Sequence, residues 1–201
     1  MKNTVILPLR YRWNLKKTTF RKGENDFKDY KDGEFVFAIS HILSGIIADD
    51  SETDVILIRT TSEYRETEQF VDEAKEELNS VLSGRCKHIN YKVIDAPYSS
   101  TRKELGLIYR KLCNEIAPET NIYADLTFGP KYMPLVVFCA LNYAEKYSDC
   151  NIKSLLYGLF DGQKDNKGTI VDFTSLYLLN TFGAMFDGAK ESFDAFTKSL
   201  I

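Results

Sequence analysis

The sequence predicts an α/β fold, with helices covering both faces of a mostly parallel sheet. Three observations carry that prediction. Short apolar runs alternate with helical stretches along the chain, an order that requires parallel strands joined by crossover helices. The runs at 4–9, 54–60 and 121–126 are apolar almost without interruption, as strands buried on both faces are. No repeat, low-complexity linker or domain boundary divides the 201 residues, so residues 1–201 read as one domain, compatible with a piece cut from a longer effector protein.

The elements follow in order. TVILPL (4–9) is a strand, and a long polar segment runs from it to Glu34. Residues 35–50 carry helical periodicity, and DVILIRT (54–60) is the second strand. Residues 63–82 form an amphipathic helix with Phe70, Val71, Ala74 and Leu78 on one face. Gly84 stands where a C-cap would stop it. INYKVIDA (89–96) is the third strand, and the next helix, 99–116, opens on Ser or Thr N-cap candidates. NIYADL (121–126) is the fourth strand and 133–147 the fourth helix. IKSLLYGLF (152–160), the turn DGQKDNKG and TIVDFT (169–174) form a hairpin, followed by a helical tail with a break near Gly188. The sum is a Rossmann-like sheet with a C-terminal β-hairpin.

Composition narrows the function. A net charge of −3 argues against coating a long nucleic acid while allowing a local basic site. Cys86, Cys113, Cys139 and Cys150 show no metal-ligand spacing, and Cys113 and Cys139 read as small buried hydrophobes in apolar helices. With no signal peptide in view, the expectation is a reducing cytoplasm. The longest apolar run, 133–141, is too short for a bilayer, so no membrane is expected. The sequence lacks GxGxxG, GxxxxGK[ST] and GxSxG, which disfavours dinucleotide oxidoreductases, P-loop NTPases and serine hydrolases. His41 reads as a core histidine and His88 as exposed. No metal and no cofactor are expected.

In open α/β sheets, ligands bind beyond the carboxyl ends of the strands. Those ends read PLRYRWNLKK, RTTSEYR, DAPYSSTRK and DLTFGPK. In the last, Gly129 permits close backbone approach and Pro130 suits a first helical position. The helix start then favours an anion, with Lys131 adding a point charge. Asp125 is expected to orient the turn by accepting backbone N–H bonds, leaving Thr127 to offer its hydroxyl to a ligand. On its own the turn reads equally as a capped helix start. Charge favours the anion site: between Pro8 and Lys22 six basic residues and no acidic one occur (Arg10, Arg12, Lys16, Lys17, Arg21, Lys22), leaving −9 for the remainder. Tyr11 and Trp13 lie among them, so bases could stack as phosphates are neutralised.

Asp125-Leu126-Thr127-Phe128-Gly129 resembles the Asp-x-Thr-His-Gly signature of one branch of the CARF domains, the CRISPR-associated Rossmann folds of type III CRISPR defence. The order of elements, hairpin included, is similar over nearly the whole chain. The resemblance implies a homodimer that binds a cyclic oligoadenylate across its twofold axis, cyclic tetra-adenylate ahead of hexa-adenylate, and regulates a fused or separate antiviral effector. Carried over, the ligand-binding residues are Leu9, Arg10, Tyr11 and Arg12 after strand 1, and Asp125, Thr127, Phe128, Gly129, Pro130 and Lys131 after strand 4. Thr60, Thr61 and Ser62 after strand 2 are further candidates. Phe128 departs from the family histidine; it stacks on an adenine or packs against the turn. The alternative implied is a metal-independent ring nuclease, with Arg10 and Lys131 stabilising charge and Thr61 or Thr127 positioning the sugar. A flavodoxin-like or interaction domain with merely polar strand ends is the third reading. The fourth helix is apolar almost all round, which suits burial against the sheet and against a second subunit.

Overall fold

The apolar runs pair as parallel strands, and their crossover helices divide between the two faces of one sheet. The computed structural model describes residues 2–10, 17–21, 30–61, 67–98, 101–161 and 167–185. The order is β1 (Lys2–Pro8), β2 (Thr19–Arg21), α1 (Ser40–Ile46), β3 (Ser51–Thr61), α2 (Glu68–Leu82), β4 (Cys86–Pro97), α3 (Arg102–Glu115), β5 (Asn121–Asp125), α4 (Met133–Tyr147), β6 (Asn151–Phe160), β7 (Lys167–Asp172) and α5 (Thr174–Met185). Among the described residues seven strands lie in the order β2-β7-β6-β5-β1-β3-β4. Of their pairings only β6–β7 is antiparallel, the hairpin expected after the fourth helix.

Alternate residues of each strand feed two cores, as the period of two demands. Val5, Leu7, Val55 and Leu57 pack with α1 and α2. Ile6, Ile56, Ile58 and Ala124 pack with α3 and α4. Between β1 and β5 the crossovers part: β1 leads through α1 to one face, and β5 leads through α4 to the other. This is the sheet's topological switch point, the place where open α/β sheets form a crevice.

Local chemistry explains the end of α2 and the start of α3. The inner face of α2 is Phe70, Val71, Ala74 and Leu78, as expected, extended by Val81 and Leu82. Gly84 follows its C-cap with φ +82°, a conformation that a side chain would strain. α3 opens on Thr101, whose hydroxyl accepts the Glu104 N–H while the Glu104 carboxylate accepts the Thr101 N–H. That reciprocal bond holds the Glu104 carboxyl below its usual range.

Three expectations are corrected. The helix expected over 35–50 is confined to Ser40–Ile46, because the N–H groups of Val36, Phe37 and Ile39 go to side-chain carboxylates. β2 was not foreseen: one apolar residue, Phe20, in a strand of three gives no periodic signal, and its pairing with β7 is tertiary. Cys139 is exposed and Cys113 half-buried, whereas Cys150 is buried.

His41 is a core residue, fully buried. Its Nδ1 lies 2.8 Å from the Lys31 carbonyl, and its ring stacks on Tyr30 and meets the edges of Phe35 and Phe20. Burial pushes its pKa below 6.5, against the opposing pull of the Lys31 and Thr18 carbonyls and Asp32. The neutral ring is therefore the folded form. Its contribution to stability is complete above pH 6.5 and is lost as the pH falls from there toward the folded pKa. Denaturant midpoints measured from pH 7.5 down to about 5 should fall. The His41→Phe variant should lack that slope, and equal slopes in both proteins would assign it to another group.

Candidate functional site

β5 delivers the turn and β1 the wall beside it. Asp125 is fully buried and orients the turn as expected: one carboxylate oxygen accepts the Thr127 N–H at 2.8 Å and the Thr127 hydroxyl, and the other accepts the Ile39 N–H at 3.0 Å. Burial drives the Asp125 carboxyl above its ordinary range, opposed by these three donors, while the charge of Glu77 adds to the rise. Gly129 takes φ +97°, and a Cβ there would lie 3.3 Å from Pro8 and 3.2 Å from Met133. The left-handed backbone favours glycine, and the close approach sets the end of β1 against the β5–α4 turn. Pro130 precedes the helix, and it is Pro134 that occupies the first helical turn.

The Thr127 hydroxyl is engaged inside the fold: it donates to Asp125 and accepts the Gly158 N–H at 2.7 Å. Phe128 is only 9% exposed. Its ring meets the Phe37 edge at 5.7 Å and lies 6.1 Å from Phe160, so it packs against the turn in the core of the α1–α2 face. Lys131 is exposed at the mouth of the turn, and the Tyr132 hydroxyl donates to the Pro97 carbonyl.

On β1, the Leu9 side chain is in the core and its N–H donates to Ile58. Arg10 points to α2, where its buried guanidinium pairs with Glu73 and lies 4.8 Å over the Phe70 ring. Burial lowers the Arg10 pKa, against the charge of Glu77. Thr60 is buried at the end of β3 with its hydroxyl unpartnered, and Thr61 is half-buried. Tyr11, Arg12 and Ser62 lie outside the described residues, as do Trp13, Lys16 and Lys22.

A cleft of about 530 Å³ opens beside Arg10, on the α2 face. Arg10 and Lys17 line it against Glu34, Glu73, Glu76 and Glu77, a balance that repels an anion. Its acidic lining sets this cleft apart from the β5–α4 turn, where Lys131 is exposed, although Arg10 at the end of β1 belongs to its wall.

The sequence reading missed Glu77. Its two oxygens accept the N–H groups of Val36 at 2.8 Å and Phe37 at 3.0 Å and the Ser40 hydroxyl at 2.6 Å. A signal was present: a carboxylate placed between Ala74 and Leu78, beside the apolar stripe of α2. Also missed was Arg59, which grips Asp95 with two nitrogens at 2.7 and 3.0 Å and pairs with Glu68. This network ties the ends of β3 and β4 to the start of α2.

Among the described residues, no group of three or more His, Cys, Asp or Glu is placed to hold a metal ion, and no helix is long and apolar enough to cross a membrane. A scan against protein-family models and a search of curated proteins found no match to this chain.

Proposed function

We propose that the chain is a CARF-like sensor that binds a cyclic oligoadenylate, tetra-adenylate ahead of hexa-adenylate, across a homodimer and thereby regulates a type III CRISPR antiviral effector. The observation that carries this reading is the contact of Gly129 with Pro8. The end of β1 meets the β5–α4 turn at the switch point, with the Lys131 ammonium exposed beside that turn. Ring nuclease chemistry has weaker support, because Arg10 is paired with Glu73 and the Thr127 hydroxyl with Asp125 and Gly158.

A face for the second subunit is available on α4. Leu135, Cys139, Tyr143 and Tyr147 recur every four residues and form one exposed stripe, with Leu135 at 70% and Tyr147 at 75% exposure. The stripe is about 18 Å long at 1.5 Å per residue. In sedimentation at micromolar concentration the chain should run as a dimer and Leu135→Glu as a monomer. An unchanged dimer in that variant would remove α4 from the seam.

Incubation with labelled cyclic tetra- and hexa-adenylate tests the function. Tight binding with the ring recovered intact supports the sensor, and linear products ending in a 2′,3′-cyclic phosphate support the nuclease. Binding of neither ring at micromolar protein sinks both. Lys131→Ala should weaken binding about tenfold, the cost of roughly one charge-assisted contact, with an unchanged unfolding midpoint. Unchanged affinity would take Lys131 out of the site.

A further inference from the structure

We infer that the β5–α4 turn and the segment Val36–Ser40 move as one body, so that an event at the turn is reported on α2 and the cleft beside it. The trigger rests on the ligand proposed above, whereas the coupling itself is a property of the chain alone.

Two carboxylates from different elements hold this segment. Asp125, on β5, takes the Ile39 N–H with one oxygen and Thr127 with the other. Glu77, on α2, takes the N–H groups of Val36 and Phe37 and the Ser40 hydroxyl. A second link runs beside the first, since the Phe128 ring of the turn rests on the Phe37 ring of the segment. The turn is anchored in its own right by the bond from the Gly158 N–H to the Thr127 hydroxyl. Val36 and Glu77 both line the cleft, together with Arg10 and its partner Glu73.

Buried N–H groups are strongly disfavoured without an acceptor. A shift of the turn that carries Asp125 must therefore carry Ile39 with it. Ile39 in turn cannot move alone, because its neighbours Phe37 and Ser40 are fixed to Glu77. Such a linkage has few intermediate arrangements and suits a two-position response. A purely local role, in which Glu77 serves only the start of α1, predicts no effect across the linkage.

Amide hydrogen exchange of the whole chain without ligand separates the two. Thr127→Val removes the hydroxyl at the turn and leaves residues 36–40 unaltered. It should accelerate exchange at Val36 and Phe37 by about tenfold relative to Ile108 and Leu112 on the opposite face. Glu77→Gln should do the same at Thr127 and Gly158, and Thr127→Ser, which keeps the hydroxyl, should restore slow exchange. Acceleration confined to the mutated side in both variants overturns the inference. With cyclic tetra-adenylate added to the unaltered chain, added protection at Val36 and Phe37 supports reporting. Binding that leaves them unchanged overturns it. Failure to bind defeats the ligand reading, and the coupling is then decided by the variants.

Discussion

Phe128→Ala should destabilise the protein by about 3–5 kcal/mol, the usual range for removing a phenylalanine ring from a packed core. The ring is nearly enclosed and touches Phe37 and Phe160, which belong to different parts of the chain. Its loss leaves a cavity between the turn, the segment before α1 and the end of β6. Urea unfolding would measure the cost, and a loss under about 1 kcal/mol would show that the site collapses without strain or that the ring was not held. In the sensor reading Phe128 packs against the turn instead of stacking on an adenine. Phe128→Leu, which refills much of the volume, should therefore bind the ring nearly as well as the parent. A large selective loss of binding in that variant would return Phe128 to the ligand.

Asp125→Asn should cost about 1–3 kcal/mol at neutral pH. The carboxylate accepts from two backbone N–H groups, one on each oxygen. An amide offers one acceptor and one donor, so either orientation sets its NH₂ against an N–H. The pH dependence carries a sign. Burial raises the folded pKa of Asp125 above its unfolded value. Folding therefore favours proton uptake at Asp125, a contribution complete below the unfolded pKa and lost as the pH rises through the folded pKa. The asparagine does not titrate, so the gap between the two proteins should widen as the pH falls. A gap that closes in acid would show a carboxylate held charged by its donors, with the opposite shift.

The fold was legible because its signal is local. α2 was readable from its 3.6-residue period, and β3 and β5 from short runs apolar almost without interruption, as strands buried on both faces are. The start of α1 was not, because its donors are satisfied by Asp125 and Glu77, which lie far away in sequence. The turn was legible in part. Asp125 as the orienting carboxylate follows from the Asp-x-Thr spacing, and the bond it makes to the Thr127 N–H is local. The engagement of the Thr127 hydroxyl by Gly158 and of Arg10 by Glu73 depends on which elements the fold sets side by side. No pattern within the turns records those partners.

The pairing of Thr19–Arg21 with Lys167–Thr169 has a consequence for how the protein is made. β2 leaves the ribosome well before the strand it needs, because four other strands lie between β2 and β7 in the sequence. Until β7 arrives and docks on β6, Phe20 has no sheet to lie on, and one wall of the pocket around His41 is missing. Pairs so distant in sequence close late and slowly. The chain at Thr19–Arg21 should therefore stay sensitive to protease on a nascent chain that ends before residue 167, and become resistant only when the hairpin is complete.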